Sequence, residues 1–437
     1  MRLRLIALVL VALAARAHAD TGSNGSGDDD TPTADDMRDV LDGERAQNVR
    51  ATDDKPAEST DDEPATGTVR GGAYVDTDGT RVLRTIGILG KTYGRWHVDG
   101  SFTVDAVTSA SIDVRTSPAL SKVDTITSAS GISTTSGGQM HDTRYQGTGG
   151  VGWKDSAGHA ASATAALASE TDYKSISAGL NGSYDILDRN ATLLGGVSVT
   201  DSWVSSVLDS TFHGKLFAVG WSAGLARVLT RNDALRLRYD GKASEGYQGS
   251  PYRNVRFGDW TTMTNADHQV IFSNTIGSAD GLPERVPQSR ISHALTLEWV
   301  HSLAAGIGLH PSLRAAHDSW GVTSTTAALD LRIARATWRL DTGYRYYRQW
   351  GADFFEGKYL DDPSMYRYYT SDKELGQQVG HLVTLDIARV LIDKEQESDS
   401  RLMFDLHLDL VRYSYPGFLL LSARSSAFVE AGLIWEL

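Results

Sequence analysis

Residues 402–410 read Leu402-Met403-Phe404-Asp405-Leu406-His407-Leu408-Asp409-Leu410, so apolar and polar side chains nearly alternate along them. Successive side chains of a β-strand point to opposite faces of a sheet. The stretch therefore predicts a strand with one hydrocarbon face, and with Asp405, His407 and Asp409 together on the other. Roughly ten-residue segments of this kind are typical of transmembrane barrels, although soluble sandwiches alternate as well.

The same period of two recurs along most of the chain. In residues 96–107, Trp96, Val98 and Phe102 share one face while His97 and Asp99 share the other. A third clear copy covers residues 336–346, and weaker copies cover residues 161–167, 193–201, 217–225, 235–240 and 295–300. The repetition predicts many antiparallel strands within one large β domain.

The connections between these segments fall into two populations that alternate in order. The short ones are residues 92–95, 154–159, 187–190, 230–233, 303–306, 334–335 and 393–400. The others include all the long ones, at residues 108–141, 205–213, 244–289 and 350–380, together with tight turns at 76–79 and 415–417. Short periplasmic turns opposite long outer loops are the rule for outer-membrane barrels, which favours a barrel over a sandwich.

Aromatic residues and the last segment support the same interpretation. The tryptophans near predicted periplasmic strand ends form a candidate interfacial girdle: Trp96, Trp153, Trp299, Trp338 and Trp435. The C-terminal segment resembles the assembly signal of outer-membrane barrels at Glu430, Gly432, Trp435 and Leu437, although that signal more often ends in Phe or Trp. The resemblance implies recognition of the last strand by the barrel assembly machinery.

We therefore predict an all-β fold, a transmembrane antiparallel β-barrel of about sixteen strands, within a range of about 14 to 18. The barrel is expected to occupy residues 68–437, with the N-terminus of its first strand and the C-terminus of its last strand both in the periplasm. Such a barrel is wide enough for an aqueous lumen unless loops or side chains plug it.

The N-terminal part of the chain has a different composition. Residues 1–19 combine Arg2 and Arg4, a short apolar run and Ala17-His18-Ala19, which predicts a cleaved signal peptide. Residues 20–67 are rich in Asp, Gly, Ser and Thr and predict a disordered acidic periplasmic leader. A leader that binds a divalent cation or a periplasmic partner is the alternative. With a formal net charge of −13, nucleic-acid binding is not expected, and the absence of cysteine excludes disulfides and thiolate sites.

Two further stretches resemble a known family. They are Val104-Asp105-Ala106-Val107-Thr108-Ser109-Ala110-Ser111-Ile112-Asp113-Val114 and Val123-Asp124-Thr125-Ile126-Thr127-Ser128-Ala129-Ser130, and the loop elements Ser250-Pro251-Tyr252-Arg253 and Pro283-Glu284-Arg285 are similar too. The family is a bacterial one of uncharacterised function that is assigned to outer-membrane barrels. The resemblance covers about residues 67–437 and implies the fold and the outer-membrane location, but no reaction.

The face opposite the hydrocarbon face gathers charged residues that we expect to line the lumen. These candidates are Arg236, Arg238, Asp240, Arg339, Asp341, Arg345, Asp386, Asp405, His407, Asp409 and Glu430. Mixed rows of arginine and acid could set up a transverse field that sorts polar solutes, or they could pair only to stiffen the wall. A metal site at Asp405, His407 and Asp409, helped by Asp386, is a further alternative.

The long connection at residues 244–289 is the candidate constriction. Tyr252, Arg253, Arg256 and Arg285 could fold into the mouth and narrow it, because long loops are often functional. The alternative is a surface loop that only shields the barrel.

These observations predict a channel or transport-associated barrel in the outer membrane for small hydrophilic solutes. The alternatives are a structural or partner-binding barrel without an open pore and, less favoured, an outer-membrane hydrolase. No catalytic motif occurs in a suitable setting, so neither an enzyme nor a cofactor is expected. The expected partners are membrane lipids, the assembly machinery and a small solute.

Overall fold

Sixteen long strands form one closed antiparallel barrel in the computed structural model, which describes residues 64–109, 140–207, 209–264, 270–392 and 401–436. Each strand pairs with its neighbours in sequence, and the first strand pairs with the last from Thr66↔Glu436 to Asp76↔Ser426. The fold class and the number of strands predicted from the sequence are confirmed.

The first nine strands follow one another around the wall. They are β1 (Thr66–Asp76), β2 (Thr80–Tyr93), β3 (Trp96–Ser109), β4 (Met140–Lys154), β5 (Ala160–Ser169), β6 (Tyr173–Ile186), β7 (Ala191–Ser205), β8 (His213–Val228) and β9 (Asp233–Gly246). The wall resumes with β14 (Ser289–Ala304), β15 (Ile307–Asp318), β16 (Thr323–Arg335), β17 (Trp338–Trp350), β18 (Gln378–Ile392), β19 (Arg401–Ser414) and β20 (Ala423–Glu436).

Four short strands between β9 and β14 belong to loops rather than to the wall. β10 (Asn254–Val255) pairs with β13 (Leu282–Pro283), and β11 (Thr261–Thr264) pairs with β12 (Val270–Ser273). Two single 3-10 turns, Pro363–Met365 and Lys373–Leu375, lie between β17 and β18. Within the described residues, no helix is long and apolar enough to cross a membrane.

The barrel is apolar outside and polar inside. Trp338 and Val429 are 42% and 44% exposed, whereas Asp405 and Glu430 are 8% and 1% exposed. Along β19 the buried positions Met403, Asp405, His407 and Asp409 alternate with the more exposed Phe404, Leu406, Leu408 and Leu410. A hydrocarbon exterior of this kind suits a membrane, because lipid offers no partner for a polar group.

The two ends of the barrel differ in their connections. Described short turns join the strands at one end, which also holds Thr66 and Glu436, and we call it the turn end. The opposite end, the loop end, has the long segments 247–288 and 351–377. Trp96, Trp299 and Trp338 are exposed near the turn end, where the girdle was predicted.

Several predicted boundaries need correction. The turn placed at residues 334–335 lies instead at 336–337, because β16 continues to Arg335 and β17 starts at Trp338. The tight turn placed at 415–417 belongs to a longer connection, residues 415–422. The turn at 393–400 and nearly all of the loop at 108–141 lie outside the described residues, as do residues 1–63 with the signal peptide and most of the leader. β1 begins at Thr66, two residues before the predicted start of the barrel.

A glycine makes room for an ion pair at the seam where β1 meets β20. Arg70, Gly432 and Asp405 lie in one row across β1, β20 and β19, and the Arg70 Nε lies 3.2 Å from an Asp405 carboxylate oxygen. A Cβ at Gly432 would lie 2.5 Å from the Arg70 Cγ and 2.5 Å from an Asp405 oxygen. The ion pair therefore passes over Gly432, which is the glycine of the C-terminal signal.

The substitution Gly432→Val should weaken the seam, because its side chain must displace a buried ion pair. We expect a loss of about 1–3 kcal/mol in the free energy of unfolding, measured by urea titration in lipid vesicles with tryptophan fluorescence. Gly71→Val is the matched control, since Gly71 lies on the same seam with open space around its Cβ position. The control should stay within about 0.5 kcal/mol of the unchanged protein, and equal effects of the two substitutions would contradict the prediction.

Candidate functional site: a charged lumen and its bridged mouth

The seam side of the lumen holds a compact group of charges. Arg70 contacts Asp405, and its Nε also lies 3.9 Å from a Glu430 oxygen. His407 pairs in register with Glu430 on β20 and with Asp386 on β18. Its Nδ1 lies 2.8 Å from an Asp386 oxygen, and its Nε2 lies 2.9 Å from an Asp409 oxygen.

In this geometry both ring nitrogens of His407 face carboxylates. A carboxylate oxygen at each ring nitrogen is satisfied only when both nitrogens carry a proton, because a carboxylate accepts hydrogen bonds. A doubly protonated imidazole has no lone pair left for a cation. Asp405, His407 and Asp409 are thus paired within the wall in this geometry, and a metal site at these residues stays a prediction.

The opposite side of the lumen carries a second set of ion pairs. Arg236 lies opposite Glu298 in the register, and an Arg236 Nη2 donates to Glu298 at 2.8 Å. Asp240 lies 2.7 Å from Arg238 and 3.7 Å from Arg314. Pairing of this kind supports a stiffened wall, yet the Arg238 and Arg314 side chains remain 44% and 47% exposed. Two guanidinium groups therefore remain accessible from the lumen.

All eleven predicted lining residues lie at inward-facing strand positions. Asp341 lies 2.9 Å from Arg339 and 2.7 Å from Arg332, while Arg345 bonds to the Tyr413 hydroxyl. The residues form the seam group, the opposite group and the β17 set Arg339, Asp341 and Arg345 between them, and they do not converge on one point. Their role as the lining of a solute pathway stays a prediction.

A chain of contacts between the loops begins at the turn between β5 and β6. The Tyr252 hydroxyl, in segment 247–288, donates to an Asp172 carboxylate at 2.5 Å. The amide of Val207 in turn donates to the Tyr252 oxygen at 3.0 Å. The long segment after β9 is therefore anchored several strands away from its own origin.

The next contacts join segment 247–288 to segment 351–377. Arg253, beside Tyr252, places an Nη1 3.2 Å from Glu284 and 2.9 Å from Asp372. Thr370 donates its hydroxyl to the second Glu284 oxygen at 2.6 Å. Burial raises the pKa of Glu284 and Arg253 opposes that rise. The same two segments share a buried hydrophobic cluster made of Val255, Phe257, Tyr359 and Tyr369.

The chain of contacts ends on inward-facing residues of the wall. The Glu374 carbonyl accepts hydrogen bonds from Gln349 of β17 at 2.6 Å and from Gln378 of β18 at 2.8 Å. The Glu374 carboxylate also lies 3.6 Å from Arg424 of β20. Because Gln349 and Gln378 are buried and point inward, segment 351–377 folds over the lumen.

These contacts cross the mouth from side to side. In the order of the wall, the β5–β6 turn and the β17–β18 loop are separated by eight of the sixteen strands in either direction. They therefore lie on opposite sides of the barrel. We call the contacts through Asp172, Tyr252, Arg253, Asp372 and Glu374 the mouth bridge.

The predicted constriction residues take part in this loop packing. Arg256 lies 4.0 Å above the Phe272 ring, and burial lowers its pKa to about 10. Arg285 stacks on Tyr369 at 4.9 Å and donates to the Tyr366 carbonyl. The described contacts thus hold the loops together, and narrowing of the pathway by these four residues stays a prediction.

An acidic cluster lies beside the anchor of the bridge. Asp142, Glu170 and Asp172 offer carboxylate oxygens that lie within 4.8 Å of one another. Burial is the main cause that raises the pKa of Glu170 to about 7, while Arg144 opposes the rise and the neighbouring Asp142, Asp172 and Asp105 add to it. Glu170 lies just beyond the end of β5, in the connection to β6.

Sequence reasoning missed most of the bridge. Asp172, Glu284, Asp372 and Glu374 lie outside the wall strands, where the period of two gives no information. Arg70 had a usable signal, because it alternates with apolar residues on β1, but the surrounding glycines obscure that strand. Glu298 lies within a segment identified as a strand, and its parity could have placed it in the lumen.

Comparison with known proteins identifies one family that matches the chain. The family described as "Protein of unknown function (DUF3570)" matches residues 46–218 and 212–395, more than half of the chain. The match starts inside the predicted leader and ends before β19. No curated protein matches the chain by sequence.

Among solved structures, a bacterial polysaccharide outer membrane secretin is 10% identical with a TM-score of 0.46, and the similarity covers 86% of this chain and 99% of that one. The CymD monoaromatic hydrocarbon channel is 7% identical with a TM-score of 0.40, over 86% and 89% of the two chains. A ferric enterobactin receptor mutant from Pseudomonas aeruginosa is 10% identical with a TM-score of 0.40, over 80% and 54%. Similarities of this degree say nothing about a solute.

The raised pKa of Glu170 predicts a pH dependence at the bridge anchor. Because the folded protein holds this proton more tightly than the unfolded chain, stability falls as the pH rises from about 4.5 to about 7. The amides of Glu170 and Ser205 donate to the carbonyls of Tyr173 and Asp172 at 2.7 Å. Their hydrogen exchange, corrected for intrinsic rates, should therefore become faster over this range. Glu170→Gln should remove the dependence.

Asp209→Asn is the control for this measurement. Hydrogen bonds from Thr211 lower the pKa of this exposed carboxyl group, so its neutralisation should leave the slope between pH 4.5 and 7 unchanged. A Glu170→Gln protein with the slope of the unchanged protein would refute the assignment.

Proposed function

We propose that this chain, which belongs to the DUF3570 family, is an outer-membrane channel for small hydrophilic solutes. The description of the family assigns no activity, so the proposal rests on the geometry of the barrel. The observation that carries the proposal is a closed sixteen-stranded wall with hydrocarbon outside and accessible charge inside. The next paragraphs give the physical support for each part.

Residence in the outer membrane is supported by the exterior. Exposed leucines, valines and aromatic rings surround the wall. Exposed tryptophans lie near both ends, Trp96, Trp299 and Trp338 at the turn end and Trp203 and Trp350 at the loop end. Surface of this size and polarity is unfavourable in water, whereas closed barrels with apolar belts are the β-structures that lipid accepts. The turn end would face the periplasm and the loop end the outside.

A polar solute is supported by the inner wall. Paired charges give a hydrated surface, and Arg238 and Arg314 keep guanidinium surface that a passing anion or polar molecule can contact. Sixteen strands leave room for an aqueous path. Apolar solutes would gain nothing from such a lining.

The size limit is supported by the mouth bridge. Two loops that meet across the full width of the mouth obstruct it, and this would exclude large solutes. The bridge also favours a second candidate, a barrel closed at its mouth that serves as a structural or partner-binding protein. The two candidates differ in whether ions pass.

Recordings in planar bilayers separate these candidates. The unchanged protein should give small, steady conductance steps, and the double substitution Tyr252→Phe with Arg253→Gln should enlarge each step about two- to threefold, because it cuts the bridge at Asp172 and at Asp372. Arg367→Gln is the matched control, since it removes one positive charge from an exposed position in the same loops.

The results have distinct meanings. Steps in the bridge variant alone would indicate a gated barrel, and no steps in any variant would refute the channel and favour the closed barrel. Equal enlargement by Arg367→Gln would show that loop charge rather than the bridge controls the opening. Heat-modifiable migration in detergent checks that each variant is a folded barrel.

A further inference from the structure

Three cationic or titratable side chains gather on the outer face of β17–β19, close to the loop end. His381 on β18 lies opposite Tyr346 on β17 and opposite Arg412 on β19. Arg348 follows Tyr346 by two residues on the same face of β17. All three side chains are exposed on the face that we assign to the membrane.

These outward arginines differ from the inward ones in their partners. Most described arginines of the lumen form ion pairs, as Arg70, Arg236 and Arg339 do, while Arg345 bonds to the Tyr413 hydroxyl. In the part of the chain that the structure describes, the contacts of Arg348 and Arg412 are instead the Trp350 ring at 5.0 Å and the Ser425 hydroxyl at 3.1 Å. A guanidinium group near lipid is stable when an anion pairs with it.

An apolar groove adjoins this cationic group. It has a volume of about 470 Å³ and is lined mainly by outward-facing residues, namely Leu295, Leu297, Leu313, Ala315, Ala327 and Tyr346. The small side chains of Ala315 and Ala327 form its floor between larger neighbours. Tyr346 joins the two features, since its ring lies 5.5 Å from the His381 ring.

We propose that this surface binds a phosphorylated glycolipid of the outer leaflet, with an acyl chain in the groove and phosphate at Arg348 and Arg412. The proposal rests on the proposed membrane location. Guanidinium groups suit phosphate because they donate two parallel hydrogen bonds, and tyrosines and tryptophans are frequent at the level of lipid headgroups. The apolar groove beside the two arginines thus matches a lipid whose acyl chain lies beside an anionic headgroup.

Charge also argues against a second copy of this chain as the occupant. None of the described outward positions on β15–β20 carries a carboxylate, so two such faces would bring arginines against arginines. A phosphate supplies the missing negative charge. The structure therefore favours lipid over self-association at this face.

Native mass spectrometry of the delipidated full-length protein tests the proposal. The probes are a bisphosphorylated lipid A, the same lipid without phosphates, and inorganic phosphate as a competitor. The unchanged protein should retain the phosphorylated lipid, and Arg348→Gln with Arg412→Gln should weaken binding at least tenfold, equivalent to about 1.4 kcal/mol. Ala327→Trp should weaken it by filling the groove.

Arg389→Gln is the matched control, because Arg389 faces outward near the turn end of β18, the strand between those of Arg348 and Arg412. It should leave binding unchanged. Several results would overturn the proposal. Two concern the variants, namely retention of the lipid by the double variant or an equal loss in the control. The others are equal binding of the dephosphorylated lipid, full displacement of the lipid by millimolar phosphate, or dimers in place of lipid adducts. Conductance steps should survive these outward substitutions, so failure here is distinguishable from failure of the channel.

Discussion

Closure of the sheet is the constraint on which the rest of the structure depends. In hydrocarbon, an unpaired backbone N–H or C=O costs several kcal/mol, so a sheet can reside there only without free edges. Pairing of β1 with β20 along eleven residue pairs removes both edges at once. The row of Arg70, Gly432 and Asp405 lies on this seam, which places a buried ion pair where the two ends of the sheet meet.

Closure also dictates where charge can lie. When the exterior contacts lipid, charged side chains of the wall must face the lumen, pair with one another, or lie at the edges of the apolar belt. The inward arginines follow the first two options, and Arg348 and Arg412 follow the third. The same residue type thus has three different surroundings, and its partner in each is decided by the face and height of its position on the strand.

The strands of the wall, which repeat one pattern, could be predicted from the sequence, whereas the contacts between the loops could not. A period of two is imposed by every strand, so the wall, its faces and its strand number could be derived from residues such as Leu406 and His407. The boundaries of the strands followed less directly from the sequence. The turn at residues 336–337 was predicted two residues too early, because the alternation of β16 and β17 runs almost unbroken through it. The bridge could not be derived, since Asp172, Arg253 and Asp372 meet through the three-dimensional path of the loops, which no local pattern records.

The mouth bridge also has a consequence for the order of assembly. Asp172, Tyr252 and Glu374 are far apart along the chain, and their meeting across the opening requires both halves of the cylinder to be in place already. Contacts between such distant segments form slowly, because a long stretch of chain must first be ordered. The wall would therefore close before the two loops meet, and the bridge would form last.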